Sequence, residues 1–218
     1  MRRVGIIDVG SGTLRPVEAA FQRICRKARV PCAPQRVAQP DHVLGCDLLV
    51  LASDAAFGAL CRALAGGMDE AIRAHAASGK PLLAISAGMQ ALLQSAQDEP
   101  GVVGLGVFAG TNRMLSPTVE PLTGAPVRAA HVGWNRLVIE PGRSAVLNAI
   151  GRPGTWVYFA HRYHAEVSDR AQVAATTELG AKPIVAALCR DNVLATQFRP
   201  ERSHRAGIRM LAAFVEQS

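Results

Sequence analysis

The sequence predicts an α/β fold, with a mostly parallel central sheet flanked by helices and an antiparallel portion in the second half. Three observations predict it. Residues 4–9, 47–52 and 82–85 form short apolar runs, as expected of strands buried on both faces. Between them, residues 15–29 and 67–78 carry apolar side chains at helical spacing, and strand–helix alternation builds a parallel sheet with sites at the carboxyl ends of its strands. Beyond residue 104 the pattern changes to β-type runs at 104–115, 130–139, 156–161 and 173–177, broken by Gly, Pro and Asn, as antiparallel strands are.

In chain order, the first strand leads into the turn Gly10-Ser11-Gly12 and a helix. The run ending at Ile85 passes at once into the helix-compatible Met89-Gln90-Ala91-Leu92-Leu93, which predicts a sharp strand-to-helix elbow that pushes Ser86 out at the sheet's carboxyl edge. Residues 183–188, the turn 190–192 and residues 193–198 read as a hairpin, and an amphipathic helix over 205–215 closes the chain.

Composition excludes several classes. With 49% hydrophobic and 19% charged residues the chain is neither disordered nor rich enough in long apolar stretches to span a bilayer. One domain over residues 1–218 is expected, and it is expected in the cytoplasm, because Met1-Arg2-Arg3 leads into a strand-like run and not a signal-peptide core. The net charge of +7 comes from arginines dispersed along the sequence, and aromatics make up only 5%, so no nucleic-acid stripe is evident and no membrane contact is expected. Cys25, Cys32, Cys46, Cys61 and Cys189 are an odd, scattered set without metal-ligand spacing, and reduced thiols are expected. His42, His75, His164 and His204 read as surface residues, with no metal site and no cofactor implied.

The elbow string KPLLAISAGMQALL resembles the nucleophile elbow of the class I, triad-type glutamine amidotransferases, in which Gly-x-Cys-x-Gly-x-Gln presents a catalytic cysteine. Ser86 stands at the cysteine, Ala84 at the first glycine, and Gly88 and Gln90 match. The strings IIDVGSGTL, GLGVFAG, HVGWNRL, YFAHRYH and RDNVLATQFRPERS narrow the likeness to the glutaminase subunit of imidazole glycerol phosphate synthase in histidine biosynthesis. That resemblance implies a flavodoxin-like amidotransferase domain that docks on a (β/α)8 barrel cyclase as a heterodimer and passes it ammonia from glutamine. It also implies partner-interface roles for His131, Gly133, Trp134 and Asn135, although the same residues could simply pack a strand and its turn.

The family's chemistry needs three things, and the sequence departs from each. Its thiolate nucleophile is replaced by Ser86, whose hydroxyl must lose its proton as it attacks. Its base, a histidine in Gln-Phe-His-Pro-Glu, is replaced by Arg199, a guanidinium that stays protonated, leaving Glu201 as the triad acid with no imidazole to orient. Arg199 either pairs with Glu201 or is exposed. Its oxyanion turn, Pro-Gly-Val-Gly, is replaced by Ala52-Ser53-Asp54-Ala55, so Ser53 and Ala55 stand where glycines belong. Ala87 and Gly88 follow the nucleophile position. Gln90 reads as either a glutamine contact or a solvated helix residue, and the substrate segment His-Ser-Tyr becomes His161-Arg162-Tyr163. Three functions are consistent with this pattern: an inactive subunit bound to the cyclase, an active glutaminase supplying ammonia, or a module that binds glutamine or another small anion through Arg162 and Arg199.

Overall fold

The computed structural model describes residues 1–10, 14–116, 118–119, 126–127, 129–152, 154–180 and 182–217. The first half alternates as the apolar runs require: β1 (Arg2–Ile7), α1 (Arg15–Cys25), β2 (Cys32–Val37), α2 (Pro40–Val43), β3 (Leu48–Ser53), α3 (Phe57–Leu64), α4 (Met68–Ala77), β4 (Leu82–Ser86) and α5 (Ala87–Ala91). The second half begins with β5 (Ser95–Ala96), β6 (Gly110–Met114), β7 (Thr118–Val119) and β8 (Pro126–Val127). It continues with β9 (His131–Arg136), β10 (Val138–Ile139), α6 (Ala145–Asn148), β11 (Trp156–His161) and β12 (Tyr163–Val167). β13 (Val173–Leu179), β14 (Lys182–Arg190), β15 (Val193–Thr196), a 3₁₀ turn at Pro200–Arg202 and α7 (His204–Glu216) complete it.

Eight strands form one sheet in the order β10-β13-β14-β15-β4-β3-β1-β2. From β15 to β2 every pairing is parallel, and from β10 to β15 every pairing is antiparallel. The mixed sheet anticipated from the change in sequence pattern is therefore present. Side chains alternate across it with the two-residue period of a strand: Leu49 and Leu51 pack on one face with Phe57, Leu60 and Phe108, and Leu48 and Val50 on the other with Phe21, Phe198 and Phe214. Two cores, one on each face, explain why β3 and β4 are apolar throughout.

Three details depart from the sequence reading. Helix α1 stops at Cys25 instead of running to Arg29, consistent with Pro31 disfavouring helical backbone at Val30, and the chain returns as β2. That return brings the Cα atoms of Cys25 and Cys32 to 5.2 Å, and the two are joined in a disulfide, correcting the expectation that all five thiols are free. Residues 104–109 are loop, and the strand starts only at Gly110. Of the predicted turn after β1, Gly10 has φ +70° and donates its N–H to Asp8, whereas Ser11 and Gly12 lie outside the described residues. Among the described residues no helix is long and apolar enough to cross a membrane.

Candidate functional site

The parallel half of the sheet sets the site's frame. Ser53 at the end of β3 is in register with Ser86 at the end of β4, and Ile85 is in register with Thr196 at the end of β15. The turn at 53–55, the elbow at Ser86 and the loop at 197–201 thus leave the same carboxyl edge side by side.

At the elbow, Ser86 has φ 57° and ψ −114°, in a region that L-residues avoid at a cost of about 1–3 kcal/mol. Such a conformation persists only when surrounding packing fixes it. The packing is visible at Gly88: a Cβ there would stand 2.0 Å from the carbonyl oxygen of Leu51, so α5 lies against β3 closer than any other residue allows. This close approach also corrects the expectation that Ser86 projects outward, for it is only 5% exposed. Ala87 is likewise buried.

In the neighbouring loop, the Arg199 N–H donates to Tyr158 O at 2.8 Å, and Ser203 bridges the same elements, accepting from the Tyr158 N–H and donating to Arg199 O. Gly207 lets α7 close onto the loop, since a Cβ there would meet Pro200 O at 1.8 Å. In this fixed backbone Arg199 Nε donates to Glu201 Oε1 at 2.7 Å, with side-chain exposures of 12% and 0%. Of the two alternatives left open for Arg199, the ion pair is the one realised. Among the described residues no group hydrogen-bonds the Ser86 hydroxyl, and Glu201 Oε2 has no partner.

In the turn after β3 a backbone donor is already used. Ala55 N–H donates to Ser53 Oγ at 3.0 Å, a local turn that ties the amide to the chain itself. No residue from 52 to 55 adopts positive φ.

Gln90 and the 161–163 segment are hydrogen-bonded within the chain. Gln90 is buried, which overturns its reading as a solvated residue: its Nε2 donates to Gln197 Oε1 at 3.2 Å and reaches Tyr163 O at 3.5 Å. Asn112, buried and not singled out by the sequence, holds α5 by donating to Gln90 O at 3.0 Å. Arg162 is exposed, and its carbonyl accepts from Leu115 N–H. The Tyr163 hydroxyl donates to Asp98, whose carboxylate pushes the phenol up to about 12. Arg199 is paired with Glu201.

His131 and His161 face each other across the β9–β11 ribbon and join in one chain of hydrogen bonds. His161 Nδ1 must donate to Tyr163 O at 2.8 Å, so its Nε2 accepts from His131 Nδ1 at 3.0 Å, and His131 Nε2 accepts from Asn135 Nδ2 at 3.1 Å. Asn135 Nδ2 also donates to Glu178 O at 2.7 Å. Every partner requires neutral rings, and burial lowers His131 to about 4 and His161 to about 3. His75, expected at the surface, is buried as well and bonds Pro81 O through Nε2. The interface group therefore divides: His131 points inward against Phe159, whereas Trp134 is 41% exposed, stacked on His204, and Gly133 is half-buried with φ +136°.

A model of the class-I glutamine amidotransferases matches residues 43–218. The chain belongs to the class-I glutamine amidotransferase family. Its curated relatives include an imidazole glycerol phosphate synthase subunit HisH from Rhodospirillum rubrum, 38% identical over 216 residues and covering 98% of each chain. A HisH subunit from Methanothermobacter thermautotrophicus is 37% identical, again with 98% of each covered. Among solved structures, a glutamine amidotransferase superposes with a TM-score of 0.69 at 18% identity, covering 98% of this chain and 97% of that one. The glutaminase domain of the Trypanosoma brucei CTPS, with bound acivicin, gives 0.65 at 17%, covering 100% and 95%. These structures establish the fold, and the relatives place the chain among HisH-like amidotransferases.

Within this amidotransferase fold, the three places where the chemistry of the family resides can be read physically. The elbow holds the Ser86 hydroxyl in positive-φ backbone, and Arg199, in the neighbouring loop, is a guanidinium with no lone pair to accept a proton. The Glu201 carboxylate neutralises that cation. Gln197 was not identified from sequence as a site residue. Its backbone position beside the elbow, one residue past the end of β15, is the signal that could have found it.

Proposed function

We propose that this chain is the amidotransferase-type subunit of an imidazole glycerol phosphate synthase type complex in histidine biosynthesis, binding a (β/α)8 barrel cyclase in the cytoplasm without hydrolysing glutamine. One observation carries the reading: Arg199 and Glu201, which we assign to the base and acid positions, form a buried ion pair, while the Ser86 hydroxyl has no hydrogen-bonding base among the described residues. The bound Ala55 amide supports it, since losing one oxyanion donor alone slows acyl transfer by about 10²–10³-fold. Ammonia from solution then supplies the nitrogen, and the chain contributes by holding or regulating the cyclase. The exposed side of the β9–β11 ribbon, with Val132, Trp134 and Trp156, is the surface offered to that partner, together with Gly133 and Asn135.

The test is a calorimetric titration against the barrel cyclase encoded in the same genome, with glutamate release followed in the same samples. Saturable binding with no glutamate above a protein-free blank is expected. Glutamate release that disappears in Ser86→Ala would establish an active glutaminase instead. Failure to bind would remove the subunit role.

A further inference from the structure

We propose that the Cys25–Cys32 disulfide is a reversible redox site, opened and closed by exchange with thiols of the glutathione class, and that its state sets how firmly the end of α7 is held. The fold brings the two residues together from different elements, Cys25 as the last residue of α1 and Cys32 as the first of β2, with Cα atoms 5.2 Å apart. Cys32 is in register with Arg2, so the bond lies at the amino end of the parallel strands, the edge opposite the one that carries Ser86. β2 is the outermost strand of the sheet, bonded to β1 alone.

Three features suit this bond to exchange. Both cysteines are half-buried, whereas Cys46 and Cys61 are buried, so a small thiol can approach the pair. The bond spans a sequence separation of only 7, and a short loop gains little closure entropy from a cross-link, so little opposes reduction. The loop at 26–31 carries Arg26, Lys27 and Arg29, all exposed, and no acidic residue. Positive charge beside a cysteine favours its thiolate, the attacking group when the bond closes and the leaving group when it opens. In opening, a thiolate of the reductant attacks one sulfur and expels the other as a thiolate, leaving a mixed disulfide. A second reductant thiolate attacks the reductant's sulfur and expels the remaining cysteine. Two electrons pass to the protein, each cysteine thiolate takes up a proton, and the reductant leaves as its own disulfide.

The neighbours of the bond hold α7. Arg2 N–H donates to Pro31 O at 2.8 Å, and the Arg2 guanidinium donates to Val215 O at 3.1 Å and to Gln217 O. Arg29 N–H, inside the loop, donates to Glu216 Oε1 at 3.3 Å. Phe21 of α1 and Phe214 of α7 meet edge to face, with ring centroids 6.4 Å apart. The last turn of α7 therefore rests on the loop that the disulfide closes, and opening the bond frees that loop to leave it. These contacts lie outside the Ser86 elbow, and the inference does not rest on the proposed subunit role.

The test is equilibration of the full chain in glutathione buffers of graded reduced-to-oxidised ratio, with thiols counted by alkylation and peptide mass spectrometry and amide hydrogen exchange followed in the same samples. Cys25 and Cys32 should pass together between disulfide and thiol across the series, while Cys46, Cys61 and Cys189 show no change. Reduction should speed amide exchange at residues 26–37 and 212–217 by about tenfold or more and leave β3 and β4 as they were. Cys25→Ser with Cys32→Ser should exchange at the reduced rate in every buffer. A bond that stays closed in excess reduced glutathione, or thiols that stay free in excess oxidised glutathione, overturns the redox site. Reversible closure with unchanged exchange at 212–217, or with exchange rising equally in β3 and β4, overturns the link to the end of α7.

Discussion

The elbow at Ser86 and the loop at Arg199 leave adjacent strands in register, yet they are constrained in different ways. At the elbow the backbone is fixed by contact: Gly88 against Leu51 leaves no room for another path, and Ser86 is held at φ 57° whatever its side chain does. In the loop the backbone is also fixed, by Gly207 under Pro200 and by the Ser203 bridge, and its two charged side chains form a buried ion pair. The comparison shows that main-chain geometry and side-chain chemistry are set by different kinds of contact. Packing dictates main-chain geometry through many contacts, whereas the chemistry depends on one lone pair at one atom.

The strongest way to test that contrast is to remove the cation. Arg199→Met leaves the Glu201 carboxylate, fully inaccessible, with neither oxygen paired, and breaking a buried pair from one side costs about 3–5 kcal/mol. Urea unfolding at pH 7 should show a loss of that size. A deficit under about 1 kcal/mol would mean that the pair does not hold the loop.

How much of this was legible in the sequence follows from where the determining contacts lie. The elbow was legible because its cause is local: a wholly apolar strand, a small residue and Gly88 within seven positions. The Arg199–Glu201 pair was legible as one of two alternatives, since both residues lie on one short turn. Strand β2 was missed because it is an edge strand, carrying Pro34 and exposed residues, with no apolar run. Helix α3 was missed because it begins directly after the rewritten turn with no capping side chain. The Cys25–Cys32 bond and the His131–His161 contact depend on elements that meet only after folding.

The histidine chain provides a second, smaller contrast, between a buried polar network and the apolar packing around it. His131 is lowered to about 4 and His161 to about 3 by burial, against about 6.5 when unfolded, with His75 and His164 shifted the same way. Below pH 6.5 the unfolded chain therefore takes up protons that the folded one refuses. Stability is full above that value and declines as pH falls toward about 4. For His131 and His161 together the loss between pH 7 and 5 is about 2–4 kcal/mol, measurable as a falling urea midpoint. His131→Gln keeps a donor and an acceptor in place and removes one titrating ring, so it should remove about half of the contribution of this pair to the pH dependence. An unchanged slope would show that these two rings are not neutral in the folded protein.

The smallest effect tests whether the elbow is strained at all. Ser86 is in positive-φ backbone, which a glycine enters without steric cost, so Ser86→Gly releases about 1–3 kcal/mol of strain. Against that, glycine gives the unfolded chain about 0.5–1 kcal/mol more conformational entropy to lose. The difference predicts a net stabilisation of about 1 kcal/mol, a rise of a few degrees in Tm for a chain of this size. The hydroxyl is not hydrogen-bonded by any described residue, so its removal breaks no hydrogen bond among them. Destabilisation in Ser86→Gly would instead indicate that the serine side chain supports the turn, and the contrast between a backbone set by packing and a dispensable side chain would fail at the elbow itself.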